Sequence, residues 1–464
     1  MTAQLEGFYL RCPVSVQNVL LSLQGARLER RRYSPGFWAI LEEAERYTFA
    51  TERDVRDLQR ERMRKLLNHC AAHVPFYAPY AGTLRRLAAT YESPEQLRCL
   101  PVLTKGDVQR ACEALHPRIG VGKIVPVHTS GSTGAGLRFW MTRQAEQWGW
   151  ATVWRQRRWH GIDFGRWCLY FGGRSIIPPG KQRPPFWRVN HPGRQIMFSA
   201  YHLREETAAH YLRQIRRSKA TWLHGYPSLL ALLASYALDG RRLDFHHGIR
   251  HITAAAENLL PQQKELMREA FGVSPINHYG QAEMVAQISE CPRGRLHVDE
   301  DFSLVEFVPV VDGPPDAYHV VGTSFLNLSF PLIRYDTGDI ARISGKRCGC
   351  GRPGRVVDAI DGRMEDYVVL SNGTRLGRLD HIFKDMVHIR EAQLYQARAG
   401  ELEVRIVRDE GFGRPQERRL RQEIQKRVGN FLKFDIRYVD ALEHTSAGKL
   451  RFVISDTAKL AARR

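Results

Sequence analysis

The 464-residue sequence predicts an α/β fold: a large N-terminal domain of layered sheets and helices, followed by a small α+β domain. Three observations carry that expectation. From about residue 125, short apolar runs alternate with helical stretches. Such alternation implies a largely parallel sheet with its binding loops at the carboxyl ends of the strands. Residues 1–120 read as mainly helical, and the texture changes again near residue 361, which places a domain boundary between 1–360 and 361–464.

The elements follow in order. "ERDVRDLQRERMRKLLNHC" (52–70) carries apolar residues at helical spacing on a charged background, and the two prolines of "HVPFYAPY" (73–80) stop it. "SPEQLRCLPVLTKGDVQRAC" (93–112) has a helix start at Ser93, then a Pro-bounded turn and a second helix from Lys105. "KIVPVH" (123–128) and "WCLYFGG" (167–173) read as short strands, the second buried. Residues 210–238 read as helix, strand, loop and helix, and 248–272 repeat strand then helix. In the C-terminal unit, "GELEVRIVRD" and "FDIRYVD" read as strands and "RPQERRLRQEIQKRVGNFL" as a helix.

Composition narrows the function classes. Hydrophobic residues at 43% and charged residues at 25% describe an ordinary folded domain. No run approaches the roughly 18 apolar residues of a membrane span. The N-terminus lacks the basic start, apolar centre and cleavage site of a secretion signal, so a cytoplasmic protein is expected. The net charge of +20 admits nucleic acid, an anionic membrane face or an acidic substrate as partners. Its basic clusters, "RLERRR" (27–32), "RQRRW" (155–159) and "RRLRQEIQKR" (418–427), are short and separate. They read as a solvated Arg-rich surface, with no specific nucleic-acid partner expected. Eight scattered cysteines make no disulfide framework in a chain of this size.

"HTSGSTGAGLRF" (128–139) is a Gly/Ser/Thr loop after a short strand. By itself it is either a flexible turn or a phosphate cradle. Glycines let the backbone approach a ligand closely, and main-chain N–H groups and hydroxyls offer donors, although no Gly-Lys-Ser/Thr closes the loop as in a Walker motif.

Five further motifs follow it in order: "AAAE" (254–257), "HYGQAE" (278–283), "RYDTGD" (334–339), "DGRMED" (361–366) and "TSAGKLR" (445–451). The ordered set, spanning residues 50–464, resembles the adenylate-forming superfamily of acyl-CoA synthetases and peptide-synthetase adenylation domains. "LLNHCAAHVPFY", "LPVLTK", "LHGYPS" and "HYGQAE" resemble the branch that holds phenylacetate-CoA ligases and CapK proteins of capsular polysaccharide. Departures are present: Gly136 where a Pro is common, Arg138 for a Lys, and Gln281 for a Thr. "LSNGTRLGRLDHIF" (370–383) does not resemble the Gly-rich segment that shapes the CoA tunnel, which favours the CapK-like side.

The resemblance implies ATP- and Mg²⁺-dependent activation of a carboxylic acid as an acyl-adenylate, with a mobile C-terminal domain. The acyl group then passes to a CoA or carrier-protein thiol, or to an amine or hydroxyl. It implies that Thr129, Ser130, Gly131, Ser132, Thr133 and Gly134 embrace the phosphates and that Glu283 holds Mg²⁺. Asp339 would accept both ribose hydroxyls. Ala256, Glu257, Tyr279, Gly280 and Gln281 would line the nucleotide, with Tyr279 against adenine. Arg363 and Glu365 occupy the hinge positions, and Lys449 is the lysine that reaches the α-phosphate. Trp222, His224 and Tyr226 are candidates for the acyl pocket or for plain core packing. A catalytically inactive scaffold of the same fold, in envelope polysaccharide assembly, is the alternative.

Cys291 and His297 in "ECPRGRLHV" and Cys348 and Cys350 in "CGCGR" form a Cys₃His set, the donor type of structural zinc. Unrelated reduced thiols are the alternative. The tight Cys-x-Cys pair is shorter than the usual spacing, and relatives in the CapK-like branch carry a comparable cluster.

Overall fold

The structure is a computed structural model describing residues 3–128, 137–173, 176–178, 181–239, 248–311, 314–361, 368–371, 375–376, 379–383, 389–408, 411–428, 432–442 and 453–456. Helices dominate the N-terminal stretch: α1 Ala3–Arg11, α2 Val14–Arg32, α3 Pro35–Arg46, α4 Glu52–His73, α5 Ala81–Thr90 and α6 Lys105–Arg110. The start of α4 is set by a reciprocal cap. Thr51 Oγ1 accepts the Asp54 N–H at 3.2 Å while the Asp54 carboxylate accepts the Thr51 N–H at 3.0 Å. Pro75 then forbids its continuation. The helix expected from Ser93 is a 3₁₀ segment, Pro94–Cys99, whereas α6 begins at Lys105 as read.

Strands β1 Ile124–His128 and β2 Arg138–Thr142 form an antiparallel hairpin outside the main sheet, with His128 paired to Arg138. Helix α7, Arg143–Trp159, follows directly. The main sheet is built from β3 Cys168–Gly172, β4 Trp187–Asn190, β5 Gln195–Ser199, β6 Trp222–Gly225, β7 His251–Ala255, β8 Pro275–Gly280, β9 Gln287–Glu290 and β10 Leu296–Val298. Helices α8 Glu205–Ser218, α9 Pro227–Asp239 and α10 Pro261–Phe271 connect its parallel strands. A four-stranded antiparallel sheet comprises β11 Ser303–Pro309, β12 Ala317–Ser324, β13 Tyr335–Arg342 and β15 Ala359–Asp361, while β14, Val356–Val357, returns to the edge of the main sheet.

The main sheet has nine strands in the order β14-β10-β9-β8-β7-β6-β3-β5-β4. Strands β5, β3, β6, β7 and β8 run parallel, and antiparallel strands extend both edges. Period-2 alternation assigns the faces. Leu169, Phe171 and Leu223 pack with α8, α9 and α10 through Tyr211, Leu212, Leu233 and Met267. Cys168, Trp222 and Ile276 point the other way, against α3 and α7 through Phe37, Leu41, Trp148 and Trp154.

The C-terminal region has a core of its own. A two-stranded pair, β16 Val368–Val369 and β17 Arg375–Leu376, precedes a four-stranded sheet of β18 Ile389–Gln396, β19 Glu401–Arg408, β20 Lys433–Tyr438 and β21 Val453–Ser455. Helix α11, Arg414–Val428, packs Leu420 and Ile424 into that core.

One expectation is overturned. The basic cluster at 155–159 is not all solvated surface: Arg155 is 2% exposed and Arg157 7%. Two positions apart, they stand about 200° apart around α7, which is covered on more than one side. Arg155 is neutralised there by Asp299 at 2.8 Å and Asp301 at 2.7 Å. None of the eight cysteines is in a disulfide. No described helix is long and apolar enough to cross a membrane.

Candidate active site

The carboxyl ends of β6, β7 and β8 open where small residues end each strand. A side chain at Gly225 would stand 2.4 Å from the Phe171 carbonyl, so only glycine fits there. Strand β7 runs into Ala256, which holds φ +70, a left-handed conformation that turns the chain away from the strand direction. The Glu257 carboxylate then accepts the Ser228 N–H at 3.0 Å, satisfying a donor at the start of α9. That side chain therefore ties the loop to the helix.

Tyr279 and Gly280 end β8. The Tyr279 hydroxyl donates to Asp339 Oδ2 at 2.7 Å, and Gln281 Nε2 donates to the Tyr279 oxygen at 2.5 Å. Gln281 Oε1 accepts the Ala286 N–H at 3.2 Å, so the amide orientation is fixed from both ends. Burial, then the neighbouring Asp339 carboxylate, hold the Tyr279 phenol well above its ordinary pKa, so it remains a donor. Asp339 follows Gly338, which has φ +78, and its own N–H donates to Thr337 Oγ1 at 3.1 Å. Two sheets thus meet at one polar point.

Glu283 lies on the loop after β8 and is 9% exposed. The loop is pressed onto the four-stranded sheet: a Cβ on Gly322 of β12 would lie 2.2 Å from the Val285 carbonyl. Met284 holds φ +59 beside it. A carboxylate held this way is the donor type that Mg²⁺ takes. The structure therefore gathers Tyr279, Gly280, Gln281, Glu283 and Asp339 at one edge, with Ala256 and Glu257 on the neighbouring strand end. Thr129, Ser130, Gly131, Ser132, Thr133, Gly134, Gly136, Arg363, Glu365 and Lys449 lie outside the described residues.

On the α7 side, Trp222 donates from Nε1 to Thr253 Oγ1 at 2.8 Å and packs as core. His224 Nδ1 also lies 2.8 Å from Thr253 Oγ1, and its ring is 5.6 Å from Tyr170. His224 and His278 sit deep in the protein yet keep part of their surface accessible, the mark of a cleft. Burial first, and the charge of Arg157 second, push both imidazoles down to about 3, so they are neutral. Sequence reasoning did not place Arg157, Tyr170 and His278 beside His224 and Trp222. The run of arginines hid Arg157, because a charge run carries no sign of which member turns inward.

The four metal-type donors come together. Donor atoms of Cys291, His297, Cys348 and Cys350 all lie within 4.8 Å of one another. Cys291 Sγ is 3.8 Å from Cys348 Sγ, and Cys350 Sγ is 3.5 Å from His297 Nε2. Zn–S bonds of about 2.3 Å at tetrahedral angles require an S···S edge of about 3.8 Å, so the donors fit zinc. His297 Nδ1 lies 3.2 Å from the Pro353 carbonyl, which orients the ring with Nε2 towards the thiols.

Similarity to known proteins agrees with this architecture. Residues 370–456 match the CapK C-terminal domain family. Protein CapK of Staphylococcus aureus is 23% identical over 460 residues, covering 97% of this chain and 99% of that one. A phenylacetate-coenzyme A ligase of Thermus thermophilus is 29% identical over 130 residues, 26% of this chain and 29% of that protein. Among solved structures, 2-hydroxyisobutyryl-CoA ligase with 2-HIB-AMP and CoA, in its thioesterification state, superposes with a TM-score of 0.56. It is 19% identical, over 90% of this chain and 94% of that one. Its postadenylation complex with R3-HIB-AMP gives 0.55 at 18% identity, over 90% and 93% of the two chains.

The fold is that of the adenylate-forming ligases. In sequence it is similar to CapK along the whole chain and to the CapK C-terminal domain over residues 370–456.

Proposed function

We propose that this protein activates a carboxylic acid with ATP and transfers the resulting acyl group to an acceptor. The observation that carries the reading is the Tyr279–Asp339 pair at the carboxyl ends of the parallel strands, with Gln281 and Glu283 beside it. In the first half-reaction a carboxylate oxygen attacks the α-phosphorus of ATP, and pyrophosphate leaves with the bridging oxygen's electron pair. In the second, the acceptor attacks the acyl carbonyl, loses its proton and expels AMP. Asp339 accepts the ribose hydroxyls, which requires the Tyr279 phenol to release one of its oxygens. Glu283 would hold Mg²⁺, whose charge would offset repulsion between the two approaching anions. The phosphate loop at 129–134, Arg363 and Lys449 complete the cationic and donor surround, on the strength of their motifs.

Cys291, His297, Cys348 and Cys350 are assigned to a structural zinc. It would clamp the β9–β10 hairpin to the segment before β14. The acid, the acceptor and the domain rotation implied by the superfamily are expectations of the same reading.

Pyrophosphate release over aryl, fatty and amino acids, with CoA and amines added separately, tests the reading. An acid-dependent signal that requires ATP and Mg²⁺ is expected. Silence across the panel, from protein that still binds ATP, would favour the inactive scaffold instead.

A further inference from the structure

We infer that the acyl substrate carries a second anionic group, received at the floor of the cleft by the guanidinium of Arg157. The inference rests on the acyl-activating reading above and names the substrate class of that site.

Arg157 is 93% buried by its 7% exposure, yet no described carboxylate pairs with it. No hydrogen bond from its guanidinium is found among the described residues. The contrast with Arg155 is direct, since two residues earlier on α7 that side chain binds two aspartates and the Ala44 carbonyl. Burying a guanidinium without a counter-charge is costly, and proteins normally avoid it. Part of the cost is met by stacking: the Arg157 carbon lies 4.7 Å from the ring centroids of both Trp154 and Trp222. Stacking satisfies the faces of the guanidinium and leaves the N–H edge without an acceptor. That edge is not sealed, because its nitrogens are absent from the fully enclosed, unpartnered atoms of the core.

Half-buried rings, Tyr170, His224 and His278, occupy the sheet face beside the indole on which the guanidinium stacks. Trp222 lies 6.2 Å from His224, which lies 5.6 Å from Tyr170, all on the sheet face that carries Thr253 and His278. The groups nearest the charge are imidazoles, phenols and the Cys168 thiol, all neutral, so the described residues supply no anion there. A carboxylate would accept two parallel N–H bonds from the guanidinium, held flat by the indoles. A dicarboxylic acid would then present one carboxylate to ATP and the other to Arg157.

The test uses succinate, glutarate and adipate, each against its monomethyl ester, with wild type, Arg157→Gln and Arg157→Lys. Binding is read by calorimetry and activation by pyrophosphate release. In wild type at least one diacid should exceed its monoester on the order of a hundredfold, the scale of a buried charge pair. The ratio should collapse towards one in Arg157→Gln and be partly retained in Arg157→Lys. Equal handling of diacid and monoester by wild type, or a preference that survives Arg157→Gln, overturns the inference. So does failure of every acid to bind. If Arg157→Gln does not fold, the wild-type ratio and Arg157→Lys decide. Arg157-dependent binding without pyrophosphate release would uphold the anion site and sink the ligase reading. Pyrophosphate release from monoacids with no diacid preference would do the reverse.

Discussion

The Tyr279 hydroxyl donates to Asp339 Oδ2 across 2.7 Å, linking residues 60 positions apart on two different sheets. The bond joins the two sheets through the same carboxylate that the proposed reaction needs. Tyr279→Phe should therefore cost about 1–3 kcal/mol in urea unfolding, because a buried acceptor loses its donor. Asp339→Asn should raise the KM for ATP at least tenfold while moving the KM for the acid little. Equal effects on both KM values would remove Asp339 from the ribose role.

Glu283→Gln preserves shape and removes a charge. Pyrophosphate release should fall on the order of a hundredfold at limiting Mg²⁺, with the melting temperature close to wild type. Near wild-type release under those conditions would exclude a metal role for this carboxylate.

Elemental analysis should find about one zinc per chain, falling in Cys348→Ser and Cys350→Ser. A chelator should lower the melting temperature of wild type and have little effect on either variant. Metal-free protein with the wild-type transition would leave the four donors as reduced thiols.

His224 and His278 titrate near 3 in the folded state, against 6.5 for an ordinary histidine. Between those values the unfolded chain binds more protons, so stability falls as pH drops below about 6.5. The slope from each is at most about 1.4 kcal/mol per pH unit. Urea unfolding at about pH 7 and about pH 5.5 should show it, and His278→Asn should reduce the difference. An unchanged slope in that variant would place the titrating groups elsewhere.

Lys449 belongs to "TSAGKLR", outside the described residues. If it reaches the α-phosphate only during adenylation, Lys449→Ala should slow pyrophosphate release about a hundredfold. Transfer from synthetic acyl-adenylate should stay near the wild-type rate. Equal loss in both half-reactions would argue that the lysine is structural or that the domain does not rotate.

Local physics made much of this protein legible from its residues. Helical spacing and a Thr-Asp cap define α4, and apolar runs closed by glycine define β3 and β6. The order of six short motifs carried the resemblance to the adenylate-forming superfamily. The Cys₃His set was legible as donor chemistry, since thiols and imidazole carry that preference wherever they stand. Tertiary structure alone decided which groups face each other. The sequence holds nothing to say that Tyr279 meets Asp339 across two sheets, or that Glu257 caps α9. Nor does it separate Arg155, Arg157 and Arg158, which look alike in "RQRRW". A helix turns each residue by about 100°, and only the packing around α7 decides which arginines are taken out of water. One then finds two aspartates, one finds two indoles and an open edge, and Arg158 reaches Glu45 at the surface. Burial is a property of the packed chain, and the worth of a charge depends on it.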